Sequence, residues 1–265
     1  MTADQLVRYY TYDWMLVYRS PIQVEISTLC NSLIFLIYFD GMKKISCIIF
    51  DLDGTLAQTT QLIFATFNHV AEKYLGKRFT PAEITAMFGP PEEVAIENLV
   101  GKERVEEAME DYFAFYETQH LQMADAHHGI RETLDTLKQR GVILAVFTGK
   151  GKRTTVITLE NIGLKKYFDL IVTGDDVDNY KPSAEGIRKV LKTFSLKPDE
   201  VLMVGDSVSD VKAAREAEVS IAAVVWDSYN KDKVAQMDVD YLFHRVEELA
   251  DWLNAAIPSN GVCAH

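Results

Sequence analysis

Two aspartates, Asp51 and Asp53, stand one residue apart where an apolar run, residues 45–50, comes to an end. On an extended chain, positions i and i+2 face the same way, so both carboxylates can open onto one crevice. Two close carboxylates push their proton affinities apart, leaving one ionised and the other easier to protonate. That division suits a nucleophile paired with a general acid/base. Gly54 and Thr55 follow, and a glycine there lets backbone amides turn toward an anion. Taken alone, D-x-D-G fits an acidic turn at a strand end equally well.

Three further apolar runs or their connections deliver polar groups of a matching kind. Thr148 and Gly149 end the run 142–148, offering a hydroxyl and an amide to phosphate oxygens. Lys181 is held by the rigid step to Pro182, and Asp206 and Asp210 close "GDSVSD". Asp51, Asp53, Asp206 and Asp210 supply hard oxygens for Mg²⁺, which takes one or two carboxylates plus waters and phosphate. Lys181 and Thr148 supply an ammonium and a hydroxyl for a phosphoryl group.

These groups need a scaffold that brings strand ends to one edge. The runs 45–50, 142–148, 169–174, 201–206 and 219–226 are almost continuously apolar, as expected of strands buried on both faces of a parallel sheet. Amphipathic helices fall between them, for example 129–141 with Ile130, Leu134 and Leu137 on one face. The expected fold class is therefore α/β, a doubly wound parallel sheet, Rossmann-like, which binds ligands where its strands end. Residues 56–128 break the alternation with helical stretches alone. This all-helical insert reads as a lid over the crevice, or as helices packed on the sheet. Within it "FGPPEE", with Phe88, Gly89, Pro90, Pro91 and Glu92, is either a substrate-facing loop or a plain turn between helices. Lys150 meets either the substrate and closing lid or solvent.

The expected boundaries are an extension at 1–41, a core of 42–56 plus 129–254, a helical cap at 57–128 and a frayed tail at 255–265. Residues 1–41 show no steady period and read as an unstructured appendage, a start-site artefact or a small subdomain. The 265 residues carry a formal net charge of -12 and no basic stripe, which argues against a nucleic-acid partner. The apolar run 32–39 is too short to span a bilayer, so no membrane role is expected. Cys30, Cys47 and Cys263 are odd in number and far apart, pointing away from a disulfide framework or zinc site and toward a reduced, cytoplasmic setting.

In order, "DLDGT", "FTGK", "YKPSAEGI" and "VGDSVSDVKAA" resemble the four motifs of the haloacid dehalogenase (HAD)-like hydrolase superfamily. The insert after the first motif looks like the C1 cap of the phosphoglycolate phosphatase-like subgroup. Thr148 and Lys181 lie only 33 residues apart, which leaves no room for a large cap between them. The resemblance implies a Mg²⁺-dependent phosphatase for a small phosphorylated, phosphoglycolate-like metabolite, working as monomer or homodimer. It implies Asp51 as nucleophile through an aspartyl-phosphate and Asp53 as acid and base. Asp51, the Asp53 carbonyl and Asp206 would hold Mg²⁺, with Asp210 supporting them. Gly54, Thr148, Gly149 and Lys181 would bind phosphate, and Lys150 and residues 88–92 would select the substrate. A β-phosphoglucomutase-type phosphomutase and an inorganic pyrophosphatase are the alternatives. An Asp-phosphorylated receiver-like switch fits the insert and Asp53 poorly. Two departures are expected to be harmless: Ala184 stands where a second proline is common, and His128 stands where relatives often place proline.

Overall fold

The structure, a computed structural model, describes residues 45–257; the expected extension at 1–41 and residues 258–265 of the expected tail lie outside the described residues. The chain runs through β1 (Cys47–Phe50) into a short β2 (Ala57–Gln58). Four helices follow, α1 (Thr60–Leu75), α2 (Pro81–Thr85), α3 (Glu92–Val100) and α4 (Val105–Met123), and then β3 (Asp125–Ala126). The alternating part comprises α5 (Ile130–Gln139), β4 (Ile143–Phe147), α6 (Lys152–Asn161), β5 (Leu170–Val172) and α7 (Glu185–Phe194). It continues with β6 (Val201–Gly205), α8 (Val208–Glu216), β7 (Ser220–Val224), α9 (Lys231–Val234), β8 (Tyr241–Phe243) and α10 (Val246–Ala256).

Six parallel strands form one sheet in the order β5-β4-β1-β6-β7-β8, so the fold is a doubly wound, Rossmann-like α/β sheet. Alternate residues of each strand enter opposite layers. Ile48, Phe50, Leu144, Val146, Leu202 and Val204 pack in one core, and Cys47, Ile49, Ala145, Phe147, Val201 and Met203 in the other. Both faces are apolar, which is why the runs read as continuous rather than alternating. Phe50 pairs with Val146 on one side and Val204 on the other. That register brings the chain just beyond β1, β4 and β6, hence Asp51, Thr148 and Asp206, to a common edge.

Helices α1 to α4 close around a third core containing Leu62, Phe67, Val70, Ile84, Ile96, Tyr112 and Tyr116. Helix α2 opens with a capping box: Thr80 accepts from the Glu83 amide, and the Thr80 amide donates to Glu83 at 2.7 Å. The two passages between this helical layer and the sheet are β2 and β3, which pair antiparallel, Ala57 with Ala126 and Gln58 with Asp125. Two-residue strands carry too little periodicity to be legible in sequence. Strand β8 was not among the expected runs. The expected tail needs correction at its start. Helix α10 continues through Ala256, and Ile257 joins Leu249 and Leu253 in the core, since a spacing of four residues keeps all three on one helix face. Among the described residues no helix is long and apolar enough to cross a membrane.

Candidate active site

Asp51 leaves β1 with only 7% of its surface exposed. Its Oδ1 accepts from the Lys181 ammonium at 2.5 Å, and the same ammonium donates to Asp210 Oδ1 at 2.6 Å and to the Phe147 carbonyl at 2.9 Å. All three lysine protons are therefore committed. Asp210 is fully buried at the start of α8, where its Oδ2 accepts from the Ser207 amide at 2.9 Å and from the Ser207 hydroxyl at 2.6 Å. The S-x-x-D spacing of Ser207 and Asp210 is a capping box and was readable in the sequence. Asp206 is held by the Thr55 hydroxyl at 3.1 Å.

Oxygens of Asp51, Asp206 and Asp210 lie within 4.8 Å of one another. Burial, reinforced by Asp51 and Asp210, pushes the Asp206 carboxyl well above its usual range. Burial likewise pushes Asp51 up to about 7, although Lys181 pulls the other way. Burial opposes the charge of Lys181, but Asp210 and Asp51 together hold its affinity for a proton above the ordinary value. Three crowded carboxylates against one ammonium form a donor set that fits a hard divalent cation.

The Asp53 carboxylate stands apart from that cluster. It accepts from the Thr59 hydroxyl at 2.5 Å and from the Lys150 ammonium at 3.3 Å. Lys150 is buried, so it is not a solvated lysine. It also lies 3.7 Å from Glu92 Oε1 and 4.8 Å above the Tyr116 ring. Burial opposes its charge, yet Asp53, with Tyr116 and Glu92, holds it well above the usual lysine range.

Two expectations for the neighbouring residues change. Gly54 was expected to turn its amide toward an anion, but that amide donates to the Ala57 carbonyl at 2.9 Å. Glycine is needed there for space and conformation: φ is +81°, and a Cβ would sit 2.8 Å from Asp206 Oδ2. Of the "FGPPEE" residues, Phe88, Gly89, Pro90 and Glu92 line a cavity of about 410 Å³ over the strand ends, together with Asp51, Asp53, Thr148, Gly149, Lys150 and Lys181. Pro91 is not among its lining residues and packs on Gly174 instead. The Glu92 oxygens accept from the Gly151 amide at 2.7 Å and the Thr154 hydroxyl at 2.6 Å, so this cap residue caps the N-terminus of α6. Gly149 and Gly174 are equally tight: a Cβ on Gly149 would lie 2.6 Å from the Gly89 carbonyl, and one on Gly174 would lie 2.6 Å from Pro91 Cγ.

His128 is exposed, whereas its neighbour His127 is buried beside Asp227. Ala184 precedes α7 without disturbance; the Glu185 carboxylate accepts from the amides of Asp178 and Asn179 and fixes the loop ahead of Lys181. Sequence reasoning missed Thr59, Thr154, Tyr112 and Tyr229, and the contact of the Thr55 hydroxyl with Asp206. Isolated hydroxyls carry no spacing signal, and the two tyrosines belong to cap and loop segments without a motif.

The Haloacid dehalogenase-like hydrolase family model matches residues 48–224. Pyrophosphatase PpaX of Halalkalibacterium halodurans is 34% identical over 208 residues, covering 78% of this chain and 96% of that protein. The fold is similar to that of a predicted phosphoglycolate phosphatase from Haemophilus somnus (TM-score 0.70, 25% identity, 81% of this chain and 99% of that one). It is also similar to a candidate β-phosphoglucomutase from Thermotoga maritima (TM-score 0.64, 31% identity, 79% and 98%). The motif order, the helical insert, the carboxylate cluster and these matches lead to one assignment: the chain belongs to the haloacid dehalogenase-like hydrolase family and is an enzyme.

Proposed function

We propose that the protein is a Mg²⁺-dependent phosphatase that hydrolyses a small phosphorylated metabolite through an aspartyl-phosphate on Asp51. The observation that carries this reading is the pairing of Asp51 with Lys181 at 2.5 Å at the floor of a cavity that Asp53 also lines. In the first half-reaction an Asp51 oxygen attacks phosphorus. The bond from phosphorus to the leaving oxygen breaks, and Asp53 gives that oxygen its proton. In the second half-reaction Asp53 takes a proton from water, the water oxygen attacks phosphorus, and Asp51 is released with inorganic phosphate. Lys181 offsets charge between the carboxylate and the phosphoryl oxygens, and Thr148 with Gly149 faces those oxygens. Asp51, Asp206 and the Asp53 carbonyl would hold the cation. Asp210, whose oxygens are taken by Lys181 and Ser207, would position its neighbours. When bound, Mg²⁺ supplies the positive charge that lets a carboxylate approach a phosphate dianion.

Pyrophosphate hydrolysis is the second reading, favoured by the names of relatives that are 30–34% identical over nearly their full length. The test is turnover of an aryl phosphate and of pyrophosphate with and without Mg²⁺, for wild type and Asp51→Asn. Expected is Mg²⁺-dependent release of phosphate that falls at least about 10³-fold in Asp51→Asn, the loss typical of a missing nucleophile. Equal rates in the two proteins would sink the covalent mechanism. Pyrophosphate turned over far faster than any monoester would establish the second reading.

A further inference from the structure

The phosphoryl half of the cavity is built from the sheet edge, and the remaining half has to accommodate the leaving group. Its wall on the cap side is mostly apolar, with Ile63, Phe67, Met87, Phe88 and Ala95 beside the polar groups of Thr60, Thr85, Glu92 and Tyr112. Among the described lining residues no lysine or arginine comes from the cap. The cavity's lysines are Lys150, Lys181 and Lys212, all from the core, against the carboxylates of Asp51, Asp53, Glu92 and Asp206. Lys150 is shared between Asp53 and Glu92, and Lys181 between Asp51 and Asp210. Lys212 alone has no carboxylate partner among the described residues, and it is exposed at the core rim. A leaving group bearing its own carboxylate or phosphate would add negative charge to a chamber whose inner cations are already paired, next to a mostly apolar wall whose one ionised group is the Glu92 carboxylate.

One polar group in that wall is unspent. Tyr112, on α4, lines the cavity and is 0% exposed, yet its hydroxyl has no hydrogen-bond partner. Buried hydroxyls are nearly always satisfied, so an orphan in a cavity wall takes its partner from what fills the cavity, a water or a bound molecule that displaces it. The neighbouring Tyr116 hydroxyl shows the contrast, being paired with Thr158 at 2.7 Å.

Resting on the phosphatase reading above, we propose that the cap selects phosphate monoesters of uncharged alcohols that carry a further oxygen for Tyr112 Oη, the chemistry of a polyol or sugar. Tyr112 is then a specificity-determining residue, and the charged leaving groups of phosphoglycolate and pyrophosphate are the wrong class.

The test is a comparison of kcat/KM with Mg²⁺ for glycerol phosphate, a hexose phosphate, phenyl phosphate, phosphoglycolate and pyrophosphate, using the full chain. Expected for wild type is a preference of about tenfold or more for the polyol esters over phosphoglycolate and pyrophosphate. Tyr112→Phe is expected to lower kcat/KM for the polyol esters about threefold to tenfold further than for phenyl phosphate, the range of one neutral hydrogen bond. A wild-type preference for phosphoglycolate, or an equal loss on polyol and phenyl esters in Tyr112→Phe, would overturn the inference and leave the phosphatase reading standing, whereas a preference for pyrophosphate would overturn the inference and establish the second reading. A wild type inert toward all five would overturn both. The wild-type comparison decides the matter even if the variant fails to fold.

Discussion

Lys181 is the residue on which most of the buried charge depends. It neutralises Asp51 and Asp210 at once, both of them nearly or wholly out of solvent. Removing one partner of a buried ionic cluster leaves the others uncompensated, at a cost of about 3–5 kcal/mol. Lys181→Met should therefore lose that much in urea unfolding measured with a chelator present, besides losing turnover. A loss below about 1 kcal/mol would mean that solvent reaches the cluster. His127 makes the corresponding prediction for pH. Burial lowers its affinity for a proton, to a pKa of about 4, while Gln58 Nε2 lies 3.2 Å from its Nδ1 and Asp227 Oδ2 is 3.6 Å from its Nε2. The unfolded chain binds this proton below about pH 6.5 and the folded one only below about 4, so stability rises with pH between those values. His127→Gln should remove about 1–3 kcal/mol of the stability difference between pH 7 and pH 4.5. Identical differences in the two proteins would contradict the assignment. The paired acids, the threonine and the lysine were legible in sequence because each ends or follows a strand. His127 was not, since nothing local distinguishes it from the exposed His128.

At the scale of elements, what holds the cap loop on the sheet edge is the absence of side chains. Gly149, Gly151 and Gly174 each lie where a Cβ would press on the segment from Gly89 to Glu92. Glu92 then caps α6 through Gly151 and Thr154. Glu92→Ala should cost about 1–3 kcal/mol for the unmade bonds. Gly149→Ala should unseat the loop even with Glu92 intact, because the Gly89 carbonyl is backbone and cannot rotate away. Limited proteolysis between residues 86 and 91, compared across the two variants and wild type, reads both effects. Unchanged cleavage in Gly149→Ala would show that the loop tolerates the added methyl group. The parallel strands other than β8 were legible because both their faces are apolar. The docking was not, because a glycine in sequence announces neither its φ nor what presses against it.

For the whole molecule, the described fold accounts for the part shared with relatives. The match to pyrophosphatase PpaX covers 96% of that protein with only 78% of this chain. A chain beginning at Met42 is accordingly expected to fold and turn over substrate within about twofold of the full chain, as judged by thermal melting and kcat/KM; failure to fold would show that the first 41 residues are part of the domain. The pair β2 and β3 also fixes how the helical insert is threaded. The chain leaves the sheet layer at Ala57–Gln58 and returns at Asp125–Ala126, side by side, through a doorway one strand-pair wide. Because exit and return are adjacent, whatever is threaded between them leaves the strand order of the core untouched. The helical insert can thus be exchanged without rerouting the strands whose ends carry Asp51, Thr148 and Asp206.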